Sequence, residues 1–136
     1  MNNQPIKKTT ILVVDDTEVN LRLVKSCLNN QGFDVLLAES GKDALKVLEG
    51  EIPDLILLDI MMPEVDGIKA LKTIRLLEQE RDLPKTKCAK VIMTTALNDP
   101  EGIFKTYELG SEAYAVKPID TVKLVEVMTK LGLIEE

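Results

Sequence analysis

Four short apolar runs decide what this chain can fold into, because each stops abruptly at a polar residue. Ile11-Leu12-Val13-Val14 meets Asp15-Asp16, and Leu55-Ile56-Leu57-Leu58 meets Asp59. Val91-Ile92-Met93 meets Thr94-Thr95, and Tyr114-Ala115-Val116 meets Lys117-Pro118. The run before Asp59 does not alternate, which suits a strand covered on both faces. Helical spacing fills the segments between runs, so the chain reads as successive βα units. Neighbouring parallel strands would align their carboxyl ends along one sheet edge, where open α/β sheets place ligands. Three carboxylates, a hydroxyl and an ammonium then converge on one crevice.

The expected elements run in order along the chain. Strand one spans about 10–14. Helix one spans about 18–31, with Val19, Leu23 and Cys27 four residues apart and Val24 and Leu28 beside them. Gly32 is its natural stop. Strand two spans 33–38. Ser40 and Asp43 resemble a capping box opening helix two, whose apolar positions are Ala44, Leu45, Val47 and Leu48 and whose end is Gly50. Strand three spans 54–58. A turn over 62–67 leads to helix three, with Ile68, Leu71, Ile74 and Leu77 on its apolar side. The longest loop is the polar stretch 81–87, and strand four spans 90–95. Asn98-Asp99-Pro100-Glu101 combines a capping side chain, proline in the first turn and an acid near the positive helix end. That predicts helix four, ending at Gly110. Strand five spans 113–116, and Asp120 caps helix five, with apolar Val122, Leu124, Val125, Met128 and Leu131. The segment after strand five suits one helix and a short tail, so no separate output domain is expected.

Composition removes several function classes. A chain of 136 residues suits one domain. Net charge is −6, and the basic residues are scattered and read mostly as solvated helix faces, so no nucleic-acid contact is expected. No stretch approaches the ~18 apolar residues that span a membrane, and the polar first residues lack the apolar core of a secretory signal. No membrane insertion and a cytoplasmic location are therefore expected. Cys27 and Cys88 read as reduced packing cysteines. The absence of histidine removes the common general base, the common zinc ligand and any phosphohistidine-carrier role. With no Trp and only two Tyr and two Phe, a base-stacking platform is not expected.

The crevice has its own chemistry. Asp15, Asp16 and Asp59 repel one another unless a cation neutralises them. Hard oxygen ligands without Cys or His favour Mg²⁺ or Mn²⁺ over zinc. Adjacent strand residues point to opposite faces, so both Asp15 and Asp16 reach the site only if the chain turns there, one of them through water. Lys117 and Thr95 add a cation and a hydroxyl suited to a phosphoryl group, and the set as a whole points to phosphoryl transfer onto an aspartate.

These residues resemble the response-regulator receiver family. The motifs are Ile11-Leu12-Val13-Val14-Asp15-Asp16, Leu57-Leu58-Asp59-Ile60-Met61-Met62-Pro63-Glu64-Val65-Asp66-Gly67, Thr94-Thr95-Ala96 and Val116-Lys117-Pro118. The resemblance covers about residues 10–131. It places the domain at 10–132, with a polar tail over 1–9 and a short tail over 133–136. It implies a (βα)5 flavodoxin-like, doubly wound parallel sheet of strand order 2-1-3-4-5 in three αβα layers.

The resemblance also implies roles. Asp59 is the phosphoacceptor, taking a phosphoryl group from the phosphohistidine of a sensor histidine kinase or phosphotransfer protein. Asp16 and Asp59 would hold Mg²⁺ (or Mn²⁺) directly, with the backbone carbonyl of Met61, while Asp15 acts through water. Lys117 would pair with a phosphoryl oxygen. Thr95 would donate its hydroxyl to the phosphoryl group, helped by the backbone N–H of Ala96, and Pro118 would follow a cis bond. Thr95 and Tyr114 would form the switch. As Thr95 moves, Tyr114 turns inward and reshapes the helix four, strand five and helix five surface that a downstream protein reads. Helices four and five are also the expected contact of a phosphorylation-dependent homodimer. Met61 and Leu97 occupy positions that tune phosphoryl lifetime; both are apolar, so slow loss is expected. The protein would be a phosphoacceptor switch and not an enzyme in its own right. The 81–87 loop exceeds the family minimum and reads as a tolerated surface insertion.

Other readings are weaker on particular residues. A receiver cut from a hybrid kinase fits the same motifs. A haloacid-dehalogenase-type phosphatase needs a second acid two residues after the nucleophile, where this chain has Met61. A flavodoxin needs a Ser, Thr and Gly-rich phosphate loop after strand one, where this chain has Asp15-Asp16-Thr17-Glu18.

Overall fold

Apolar runs buried on both faces form the middle of a five-stranded parallel sheet in the order β2-β1-β3-β4-β5. The computed structural model describes residues 9–60, 67–95, 104, 107–117 and 119–133. The strands are β1 (Thr10–Val14), β2 (Asp34–Ala38), β3 (Leu55–Asp59), β4 (Lys90–Thr95) and β5 (Ala113–Val116). The helices are α1 (Glu18–Asn30), α2 (Gly41–Gly50), α3 (Gly67–Glu80) and α5 (Thr121–Lys130), while α4 is described at Phe104, Tyr107 and Glu108. A short 3₁₀ turn, Lys85–Lys87, lies in the long loop before β4. The expected start of α4 at 98–101 falls outside the described residues. No described helix is long and apolar enough to cross a membrane.

Alternation along each strand feeds two apolar layers. Leu12, Val14, Ile56, Leu58, Val91 and Met93 face α2 and α3. Ile11, Val13, Leu55, Leu57 and Ile92 face α1 and α5. The result is the three-layer, flavodoxin-like α/β arrangement. Every residue of β3 is buried, as its unbroken apolar run requires.

Two strand boundaries and two helix faces differ from expectation. β2 starts at Asp34, because the Phe33 N–H donates back to the Leu28 carbonyl and closes α1 around Gly32, whose φ is +93°. β3 extends to Asp59, which pairs in register with Thr94. The packed face of α1 is Leu21, Val24 and Leu28, whereas Val19 and Leu23 are 64% and 65% exposed. The helix carries two overlapping apolar stripes, and helical spacing alone does not choose between them. Val122 of α5 is likewise exposed, and Leu124 and Met128 make the contact. The caps at Ser40 and Asp120 form as expected: Ser40 Oγ accepts from the Asp43 N–H, and Asp120 Oδ1 accepts from Val122 and Lys123.

One polar cluster ties the amino ends of β4 and β5 to α3. Arg75 is not a solvated helix residue. Its guanidinium pairs with buried Glu78 (2.8 Å) and with Glu112 (3.1 Å), and donates to the carbonyls of Ala89 and Gly110. Glu78 accepts from the Ala89 N–H (2.7 Å), and Glu112 from the Val91 N–H (2.6 Å). The buried charges are thus paired and hydrogen-bonded, the condition under which they are tolerated. Cys88 lies beside this cluster as a free thiol, its pKa pushed up first by burial and then by the Glu78 charge.

Candidate functional site

Strand order carries the polar ends of β1, β3 and β4, together with the start of the β5–α5 loop, to one crevice. Asp15 comes directly after β1 and is buried, its N–H donating to the Ala38 carbonyl as though the strand continued. The chain then turns, leaving Asp16 exposed. The turn satisfies the geometric requirement for both acids to face the site. One oxygen each from Asp15, Asp16 and Asp59 lie within 4.8 Å of one another. Asp59 and Thr95 are both about 3% exposed. The Ile60 N–H donates to the Thr94 carbonyl and the Lys117 N–H to the Thr95 carbonyl (2.7 Å), so strand pairing continues to the site itself.

Lys117 bridges two of the acids. Its Nζ lies 2.8 Å from Asp15 Oδ2 and 2.9 Å from Asp59 Oδ2. Burial alone would lower the pKa of this ammonium. Hydrogen bonds to Asp15 and Asp59, and the charges of those groups, outweigh burial and hold it above its ordinary 10.5. One lysine charge against three carboxylates leaves two negative charges, matching a divalent cation.

The acids differ in how their oxygens are used. Asp15 Oδ1 accepts the Thr17 N–H (2.8 Å), while Oδ2 accepts Lys117 and the Asn20 amide (3.4 Å). Asp16 receives only a long contact from the Thr17 hydroxyl (3.5 Å) among the hydrogen bonds of the described residues. That difference fits direct ligation by Asp16 and a water-mediated part for Asp15.

Gly67 supports the loop beyond Asp59. A Cβ placed there would lie 2.2 Å from the Asp59 carbonyl oxygen and 2.8 Å from the Ile60 Cα. Only glycine permits this approach, which the Gly67 N–H completes by donating to the Ile60 carbonyl (2.9 Å).

Tyr114 sits on the edge strand, 40% exposed and pointing outward. Its ring meets that of Tyr107 edge-on, with centroids 6.3 Å apart at 81°. The Tyr107 hydroxyl has a pKa raised by burial first and by Tyr114 second.

Of the residues expected at the site, the structure brings together Asp15, Asp16, Asp59 and Lys117, with Thr95 at the adjoining strand end. Tyr114 lies apart, on the β5 surface. Met61, Ala96, Leu97 and Pro118 fall outside the described residues. Sequence reasoning missed Asn20 and the backbone N–H of Thr17. Asn20 gave no signal in the sequence, since a lone amide near a helix start reads as solvated. Packing of Leu21, Val24 and Leu28 on the sheet leaves Asn20 on the wall of a pocket shared with Asp15, Leu23 and Lys117.

Comparison with known proteins bears on this geometry. The model of the response regulator receiver domain matches residues 11–129. The chain is 37% identical over 119 residues to a probable transcriptional regulator, ycf27, of Cyanophora paradoxa, covering 88% of this chain and 46% of that protein. The chain therefore spans about half the length of such relatives. It is 32% identical over 121 residues to chemotaxis protein CheY of Bacillus subtilis, covering 88% of this chain and 94% of that one. A CheY-like receiver domain from Methanospirillum hungatei superimposes with a TM-score of 0.81 at 27% identity, covering 92% and 94% of the two chains.

Proposed function

The chain belongs to the response regulator receiver family, and from that premise we propose that it is a signalling switch phosphorylated on Asp59. The observation that carries this is Lys117 bridging Asp15 and Asp59 where oxygens of Asp15, Asp16 and Asp59 gather within 4.8 Å of one another. The phosphoryl donor is a phosphohistidine of a sensor kinase or phosphotransfer protein, the partner class of receiver domains. An Asp59 carboxylate oxygen attacks the phosphorus. The P–N bond breaks, its electron pair remains on the imidazole nitrogen, and the product is an acyl phosphate on Asp59. The barrier is lowered chiefly by positioning and charge neutralisation. The chain acts on itself alone in this step and so is not an enzyme with a separate substrate.

Receiver domains typically bind Mg²⁺, and the donor set here fits it. Asp16 and Asp59 would hold the ion, with Asp15 acting through water and the Met61 carbonyl as a further ligand. Bound there, Mg²⁺ supplies charge neutralisation for the transferring group. Lys117 exchanges its bond to Asp59 for one to a phosphoryl oxygen, and Thr95 donates its hydroxyl to another, with the Ala96 N–H assisting.

Output arises on the β5 side. Thr95 moves toward the phosphoryl group, and Tyr114 leaves its outward position beside Tyr107 to fill the space. Phe104, Tyr107, Tyr114 and Val116 are all exposed on α4 and β5, an apolar surface suited to a protein partner or a second phosphorylated copy. On the input side, exposed Leu23 lines with Ile119 a pocket that adjoins the crevice at Asp15 and Lys117, and Val19 lies one turn away on α1. That patch is the proposed seat of the phosphodonor protein. The cytoplasm is the proposed compartment.

The decisive experiment is mass spectrometry after incubation with acetyl phosphate and Mg²⁺. The parent chain should gain one phosphate and Asp59→Asn none. Equal labelling of both, or of neither, overturns the proposal.

A further inference from the structure

We propose that Asn20 is a positioning residue for the cation site, fixing the Asp15 carboxylate through its side-chain amide. This assignment rests on the reading of the crevice as a Mg²⁺-dependent phosphoacceptor site. Asn20 stands half-buried in the first turn of α1, and its Nδ2 donates to Asp15 Oδ2 at 3.4 Å. Asp15 has two other donors, the Thr17 N–H on Oδ1 and Lys117 Nζ on Oδ2. Lys117 is shared with Asp59 and must rearrange when a phosphoryl group arrives. A carboxylate held only by a shared, mobile ammonium and one backbone N–H could rotate about its Cβ–Cγ bond. The amide supplies a second fixed donor, from the first turn of α1.

Its neutrality matters as much as its geometry. A lysine at this place would cancel the charge that attracts a divalent ion, and an acid would repel Asp15. An amide orients the carboxylate and leaves its full charge for the cation site, as outer partners of metal ligands do.

The test is a double-mutant cycle on the full chain, with Mg²⁺ affinity measured by titration calorimetry and folding by thermal melting. Asn20→Leu keeps the size and removes the donor. It should weaken Mg²⁺ binding on the order of tenfold, and Asn20→Ala should do the same, both with near-parental melting. In the Asp15→Asn background, the same substitution should change affinity by less than about twofold, since the two residues act through one contact. Parental affinity in Asn20→Leu and Asn20→Ala overturns the assignment, as does an undiminished loss in the Asp15→Asn background. A parent that binds no Mg²⁺ overturns the proposed function along with it, whereas a parent that binds and a silent Asn20→Leu overturn this assignment alone.

Discussion

Gly67 carries no side chain because the Asp59 carbonyl occupies the place where one would begin. Gly67→Ala should therefore displace the backbone of Asp59 itself, the proposed phosphoacceptor. We expect a loss of about 3 kcal/mol by urea denaturation, with reduced acetyl-phosphate labelling at temperatures where the variant remains folded. Lys117→Gln should slow labelling about 10²-fold, the order of effect for removing one preorganised donor, while Mg²⁺ binds more tightly because a competing cation is gone. The pH dependence has a definite sign. The Lys117 pKa is raised above 10.5 in the fold, so its ion pairs contribute fully below that value and are lost as pH rises through the higher one. The melting difference between the parent and Lys117→Gln should hold steady through neutral pH and disappear only in strong alkali. Asp15, Asp16, Asp59, Lys117 and Thr95 were legible in the sequence because each interrupts an apolar run. Gly67 as a steric necessity and Asn20 as a donor were not, because a close approach across a loop and the facing of one helical turn exist only in three dimensions.

Among the elements, the strands and the packed faces of α2 and α3 declared themselves, and the face of α1 did so only in part. β1, β3 and β4 each carry an unbroken apolar run because helices cover both sides, and that pattern survives any doubt about register. α1 offers two stripes of similar apolar content, and the sheet selects the one holding Leu21, Val24 and Leu28. The Arg75, Glu78 and Glu112 cluster was hidden for a different reason. Charged residues on a helix ordinarily mean solvent, and nothing in one-dimensional order says that Glu78 meets the Ala89 N–H. Arg75→Leu should cost about 3–5 kcal/mol by leaving Glu78 charged and buried. In Arg75→Leu with Glu78→Leu, denaturation should show a loss well below the sum of the single losses. Asp120→Ala, which removes the cap of α5, should cost about 1 kcal/mol.

At the scale of the whole molecule, the proposed function has input and output use opposite sides of one crevice. Leu23→Asp on α1 should leave melting nearly unchanged and leave labelling by acetyl phosphate at parental rate, while slowing transfer from a phosphorylated kinase or phosphotransfer domain. Slowing of both reactions would remove α1 from the docking surface. The sheet order that makes this division possible came from the resemblance and not from periodicity, which assigns strands without saying which are neighbours. That same order has a consequence for how the molecule comes into being. β5 joins the sheet through β4 alone, yet the residue directly after it delivers the ammonium clasping Asp15 and Asp59. A partly synthesised or partly melted chain can possess every acid and still lack the grip that organises them. On the proposed function, an unfinished copy would take up its signal far more slowly than one whose β5 has docked.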